Sequence, residues 1–130
     1  MKPEEFLSLA ARWANAEPAV SALVLVGSWA RGQNRPDSDM DLVILTDEKG
    51  KFLDDPAYFS RFGEISRQSV EHYGRCTSLR VFYEDGREVE FGLVDGAWAD
   101  VPLDAGTRQV LSDGFRVLVD KAGIFADIQL

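Results

Sequence analysis

The sequence contains a single cysteine, Cys76, and a single histidine, His72, among its 130 residues. One cysteine excludes an intramolecular disulfide and a cysteine-rich zinc site, and it agrees with a reducing compartment. Basic residues are also few, because 14 Lys and Arg stand against 22 Asp and Glu for a net charge of −8. This balance argues against a non-specific binder of nucleic acid or of an anionic membrane.

Long apolar runs, repeats and linkers are also missing from the sequence. No apolar run reaches the length that spans a membrane. The N-terminal stretch mixes Glu4, Glu5 and Arg12 among its apolar residues, unlike a secretory signal. We therefore expect one domain over residues 1–130, large enough to bury its own core, in a cytoplasmic protein that makes no membrane contact.

Apolar periodicity and turn residues predict the order of the secondary structure elements. Apolar residues recur at helical spacing near the N-terminus, where a proline suits a first turn. Short apolar runs rich in valine and leucine predict buried strands, and an Asp-Gly pair predicts a hairpin. The predicted elements are a helix over Pro3–Ala16, strands over Ala22–Val26 and Met40–Leu45 with a helical turn Ser28–Gly32 and a loop Gln33–Ser38 between them, a charged turn at Lys49–Gly50, a helix over Ala57–Phe62, a short strand around Ile65–Val70, hairpin strands Thr77–Tyr83 and Glu88–Val94, a connection Ala97–Leu103, a helical turn within Asp104–Leu111 and a strand Phe115–Val119.

This order of helices and strands predicts an α/β or α+β fold. Strands that alternate with helices and then form a hairpin favour a mixed β-sheet flanked by helices over a doubly wound parallel sheet.

Two groups of chemically suggestive residues lie between the first two predicted strands. Gly27 and Ser28 stand where a strand ends and a helix begins, so free backbone N–H groups and a hydroxyl are available to a phosphate. Asp39 and Asp41 lie two residues apart at the start of the next strand, so both carboxylates project to the same face. Paired carboxylates are typical ligands of Mg²⁺.

A third carboxylate is expected from a later strand, because two-metal phosphoryl transfer usually needs one. Alternation along Glu88–Val94 puts Val89 and Phe91 on the core face and Glu90 on the opposite face. Glu90 is therefore the preferred candidate, while Glu88, nearer the turn, and Asp95, at the strand end, remain open alternatives.

Together these residues resemble the signature of the nucleotidyltransferases of the DNA polymerase beta superfamily. The similarity rests on Gly27-Ser28, on Arg31-Gly32 and on the run from Asp37 to Leu42, and it extends more loosely to Val89-Glu90-Phe91-Gly92 and to residues 113–120. It implies a polymerase-beta-like nucleotidyltransferase fold and a magnesium-dependent enzyme. The implied reaction transfers a nucleoside monophosphate, AMP from ATP or the equivalent from another nucleoside triphosphate, to an acceptor hydroxyl with release of pyrophosphate.

The resemblance also implies roles for individual residues. Gly27 and Ser28 would hold the terminal phosphates, and Arg31 and Arg35 would add positive charge from outside the direct phosphate contacts. Asp39, Asp41 and Glu90 would bind one or two Mg²⁺ ions, and Glu90 would act as base toward the acceptor hydroxyl.

The acceptor is left open by the sequence. Drug-modifying members of the superfamily carry a further helical domain that helps to form the acceptor pocket, and this chain ends at Leu130 without one. We expect a small molecule or a protein as acceptor. A second subunit of a homodimer or a helical partner protein would supply the acceptor site, and the alternative is that this site has been lost. The alternative is a nucleotide-binding regulatory module or antitoxin-like subunit that docks a helical partner.

Overall fold

A six-stranded mixed β-sheet forms the centre of the computed structural model, which describes residues 1–35, 38–128 and 130. Pro36 and Asp37, assigned to a loop from the sequence, lie outside the described residues. The elements in chain order are α1 Pro3–Ala16, β1 Ala22–Val26, α2 Ser28–Arg31, β2 Met40–Leu45, α3 Lys49–Leu53, β3 Ile65–Tyr73, β4 Cys76–Tyr83, β5 Glu88–Val94, α4 Ala105–Ser112 and β6 Phe115–Asp120, with short 3₁₀ helices at Tyr58–Phe62, Gly96–Ala99 and Ile124–Asp127.

The order of the strands across the sheet is β3-β4-β5-β2-β1-β6. Among the described residues, β2 and β5 pair in parallel and the other four pairings are antiparallel. The first residues of β2 and β5 therefore meet at one end of the sheet, where the last residues of β1 also lie. Phosphate-binding and metal-binding candidates from distant parts of the sequence are brought to this end.

One face of the sheet packs against α1 and a group of aromatic rings. Helix α1 has a proline in its first turn and buries an apolar stripe that contains Phe6 and Ala10. The Phe59 ring stacks on Phe91 of β5 with ring centroids 4.0 Å apart. Trp13 contacts several rings edge-on and donates its Nε1–H to the Tyr58 hydroxyl. This face is fully covered and anchors the central strands.

The opposite face of the sheet carries a smaller apolar cluster. Trp98 from the 3₁₀ helix Gly96–Ala99, Leu111 of α4 and Phe125 pack with apolar residues of β1, β2 and β5 in this cluster. A cleft on the same face is lined by Asp41 and Glu90.

The predicted mixed sheet flanked by helices is confirmed, and most elements fall where the sequence places them. The charged turn predicted at Lys49–Gly50 is wrong, because Lys49–Leu53 forms a helical turn that buries Phe52 completely. The strand predicted around Ile65–Val70 is too short. The strand continues to Tyr73, because its pairing with β4 extends to Tyr73 opposite Cys76. The sequence did not indicate this extension, because the added residues are exposed and lack an alternating apolar pattern.

Within the described residues, no helix combines the length and apolar character needed to cross a membrane. The cytoplasmic location stays a prediction from the sequence.

Candidate functional site

Three carboxylates meet where β2 and β5 begin. The parallel register sets Asp41 directly opposite Glu90, and Asp39 lies just before β2 on the same face as Asp41. One oxygen from each of the three side chains lies within 4.8 Å of the others. The structure thus brings together the three residues that the sequence suggests as metal ligands.

Asp41 is the most enclosed of the three acids. Burial, followed by the negative charges of Asp39 and Glu90, raises the pKa of Asp41 from 3.8 to about 7. Its Oδ1 is buried and has no hydrogen-bond partner among the described residues. A buried carboxylate oxygen without a donor is costly, so this atom calls for a cation or a proton.

Gly27 packs closely against the Asp41 side chain. Its backbone has φ +76° and ψ −159°, a conformation that is essentially restricted to glycine. A Cβ at this position would overlap with Asp41 Oδ2. Glycine is therefore required twice over, by the backbone conformation and by the close approach of the carboxylate.

The other predicted phosphate-binding residues lie on the β6 side of the acids. Ser28 is the first residue of α2, and Gly27 O accepts the N–H groups of Ala30 and Arg31. The stem of Arg31 lies over Gly114, where a Cβ would come within 2.9 Å of Arg31 Cγ. The structure therefore places Ser28 next to Gly27 at the site, whereas the Arg31 stem extends toward the turn before β6.

Arg80 and Ser78 of β4 belong to the acidic cluster but were not identified from the sequence. Arg80 donates to Glu90 Oε2 at 2.9 Å, pairs with Glu88 and lies 3.7 Å from Asp39 Oδ2. Ser78 Oγ donates to Glu90 Oε1 at 2.6 Å. The available signal was the hairpin itself, since an antiparallel register puts Arg80 opposite Glu90.

The two alternatives for the third acid occupy different surroundings. Glu88 lies on the Arg80 side of the cluster, and Asp95 lies 3.6 Å from Arg75 near the other end of β5. Glu90 is the one that lies with Asp39 and Asp41. Its role as metal ligand and base stays a prediction.

The donor set fits a hard divalent cation. Mg²⁺ binds oxygen at about 2.0–2.1 Å, so ligand oxygens on opposite sides of the ion lie about 4.2 Å apart. Oxygens grouped within 4.8 Å match that requirement, and the unpaired Asp41 Oδ1 supplies a ready ligand. Asp39, Asp41 and Glu90 are the residues that would hold the ion.

Comparison with known proteins identifies one family model and several solved structures that are similar to this chain. A model of the streptomycin adenylyltransferase family matches residues 1–130. An aminoglycoside 6-adenyltransferase from Bacillus subtilis superposes with a TM-score of 0.62 at 15% identity, covering 76% of this chain and 37% of that chain. No curated protein sequence matches the chain.

The polymerase core of TRAMP, an RNA surveillance complex, superposes with a TM-score of 0.51 at 16% identity, covering 68% of this chain and 29% of that one. Both superpositions confirm the fold alone. The chain spans well under half the length of either structure.

Replacing Gly27 by Ala should destabilise the fold more than replacing Gly32, whose φ is +71° and which has nothing within 4 Å of its Cβ position. The left-handed backbone at Gly32 costs an alanine about 1–2 kcal/mol. The rarer backbone conformation at Gly27 costs about 1–3 kcal/mol, and crowding against Asp41 should add a further ~1–3 kcal/mol there. Thermal unfolding of G27A, G32A and the double variant G27A/D41A measures both terms. Equal losses in G27A and G32A, or no recovery in the double variant, would contradict the proposed crowding.

Without metal, the stabilisation that protonated Asp41 contributes should be lost as the pH rises from about 4 through about 7. The folded state holds a proton on Asp41 up to a pKa of about 7, whereas the unfolded chain releases it near 3.8. Unfolding is therefore accompanied by proton loss across this window, and higher pH favours the unfolded state. Urea unfolding in EDTA at several pH values should show this slope in the wild type and a flatter one in Asp41→Asn. Parallel slopes for the two proteins would contradict the raised pKa.

Proposed function

We propose that this chain, which belongs to the streptomycin adenylyltransferase family, binds a nucleoside triphosphate with Mg²⁺ and transfers its nucleoside monophosphate to an acceptor hydroxyl. The resemblance to nucleotidyltransferases inferred from the motif is confirmed by that family. ATP is the proposed donor because the family is one of adenylyltransferases.

The single observation that supports the proposal is the meeting of Asp39, Asp41 and Glu90 beside Gly27. Gly27 and Ser28 would bind the terminal phosphates through backbone N–H groups and the hydroxyl. Bound Mg²⁺ would neutralise the charge that develops on the phosphate oxygens.

The proposed reaction is a substitution at the α-phosphorus of the nucleotide. The acceptor oxygen forms a bond to that phosphorus, the bond from phosphorus to the oxygen bridging the α- and β-phosphates breaks, and pyrophosphate leaves. The acceptor proton passes to Glu90. Positioning and charge neutralisation supply most of the rate enhancement in this chemistry.

The acceptor is proposed to be a small molecule or a protein side chain. An amino sugar hydroxyl is one acceptor to test, because the family is described by streptomycin and the Bacillus subtilis neighbour by aminoglycosides. A net charge of −8 disfavours a nucleic acid acceptor. We also propose that residues 1–130 form one nucleotidyltransferase domain and that the protein is located in the cytoplasm.

Mg²⁺ and ATP together should raise the melting temperature of the chain, and Asp39→Asn with Asp41→Asn should remove the rise. A ligand at one hundred times its Kd stabilises a protein by about 2.7 kcal/mol. Differential scanning fluorimetry with ATP alone, Mg²⁺ alone and both separates the contributions.

The matched control for this experiment is Asp47→Asn with Asp127→Asn, which removes two exposed carboxylates away from the cluster. It should respond to Mg²⁺ and ATP as the wild type does. Absence of any rise in the wild type at millimolar nucleotide would overturn the proposed function.

Replacing Arg80 by Met should enlarge the stabilisation by Mg²⁺ alone. Arg80 is the cation that pairs with Asp39, Glu88 and Glu90, so its removal leaves these carboxylates with greater mutual repulsion for Mg²⁺ to relieve. Arg116→Met, which removes an exposed arginine near Glu4, is the control and should not alter the Mg²⁺ response. A Mg²⁺ response that is unchanged or smaller in R80M would count against a cation site at these three acids.

A further inference from the structure

Strand β3 forms one edge of the sheet and is exposed along most of its length. Its two largest exposed apolar side chains are Val70 and Tyr73, which are 48% and 55% exposed. Unpaired backbone groups at such an edge can pair with a strand of another chain. The side chains of β3 therefore decide which strand can pair with it.

The free backbone groups of β3 alternate along the strand. A two-residue turn, Gly74-Arg75, joins β3 to β4, and Tyr73 pairs with Cys76 across it. The residues that flank a two-residue turn form a hydrogen-bonded pair, and such pairs recur at every second position of an antiparallel ladder. The N–H and C=O groups of Gln68 and Val70 therefore point away from β4 and are available to a further strand.

Two opposite charges lie on the same face of β3, four residues apart. Arg67 and Glu71 are both exposed, and the ladder with β4 runs between them without a register shift. The Arg67 guanidinium lies 4.0 Å over the Phe82 ring, and Glu71 accepts the Tyr73 hydroxyl. Neither charge has an oppositely charged partner among the residues that the structure describes. Both are therefore available for an ion pair with another chain.

The sequence of β3 is complementary to itself in one antiparallel register. A two-fold axis at Ser69 sets Gln68 of one copy opposite Val70 of the second copy, so the free backbone groups of both strands meet. The same axis sets Arg67 opposite Glu71 of the second copy, and symmetry repeats this ion pair. Moving the axis by one residue in either direction would face Arg67 with an uncharged residue.

This pairing also covers exposed apolar surface. The Val70 side chains of the two copies become diagonal neighbours on one face of the joined sheet, while the two ion pairs form on the other face. The register shift between Ile65 and Arg67 ends the regular ladder, which by symmetry confines the pairing to residues 67–71. A pairing of this length is typical of a small, reversible interface.

We propose that the β3 edge is the interface of a symmetric homodimer, in which two copies of this chain pair antiparallel about Ser69. The charges of this edge cancel across the interface, although each chain carries a net charge of −8. Pairing uses the β3 edge of both copies, so a third copy finds no free β3 edge and the assembly closes at two. The dimer does not depend on the proposed function.

Sedimentation velocity between about 1 μM and about 500 μM should show a monomer that converts to a dimer, as expected for a small interface. Arg67→Glu and Glu71→Arg each face like charges twice, so each should weaken the dimer about tenfold or more. The double variant R67E/E71R exchanges the two charges and should dimerise within about threefold of the wild type, because unlike charges face each other again. Circular dichroism checks that every variant is folded.

Arg116→Glu is the matched control, because it reverses an exposed charge on β6, the opposite edge of the sheet. It should leave dimerisation unchanged. A wild-type chain that stays monomeric over the whole concentration range would overturn the interface. A double variant that dimerises no better than the single variants, or an equal loss in R116E, would overturn it as well.

The register is tested by cross-linking, with Cys76 replaced by Ser so that a single introduced thiol is present. Ser69 would face its own copy in a pair that is not hydrogen-bonded, where Cα atoms lie about 4.5 Å apart, within reach of a disulfide. Ser69→Cys should therefore give a disulfide-linked dimer under mild oxidation, whereas Ser66→Cys, exposed on the same strand, should not. Equal cross-linking of the two variants would overturn the proposed pairing.

Discussion

The parallel pairing of β2 with β5 brings the acid of one strand beside the acid of the other. Asp41 and Glu90 face each other only in this register, and a slip by one residue would turn one of them toward the core. Packing on the covered face stabilises this register, because Phe91, the residue after Glu90, stacks there on Phe59. Apolar packing on one side of the sheet thus offsets the charge repulsion on the other.

The two faces of the sheet differ in how completely other elements cover them. The face beneath α1 is covered by aromatic rings and by the buried side of the helix. The face with the acids is only partly covered, and a cleft on it is lined by Asp41 and Glu90. Both faces carry buried apolar residues against the sheet, so large-to-small changes on either face leave cavities that lower the free energy of unfolding.

Much of the fold and of the acidic cluster could be predicted from the alternation of apolar and polar residues and from the turn residues. The period of two along β5 separates Glu90 from Phe91, and the Asp-Gly turn sets up the β4–β5 hairpin, so both follow from local sequence. Arg80 was missed because its contact with three acids depends on register and on a neighbouring strand pair. The cleft beside Asp41 and Glu90 could not be predicted from the sequence. Two of the residues that line it, Trp98 and Val110, come from segments whose placement depends on tertiary packing. Lys49–Leu53 was misassigned because the burial of Phe52 overrides the local turn signal.

Strands β3 and β6 form the two edges of the sheet, and no further strand of the described part of the chain pairs with their outer sides. Exposed hydrogen-bonding edges invite strands of other chains to extend the sheet. Here β3 has a register irregularity between Ile65 and Arg67 and displays Arg67 and Glu71, while β6 displays Arg116. Such irregular, charged edges oppose aggregation through sheet extension, although β3 also exposes Val70 and Tyr73 and β6 exposes Val117.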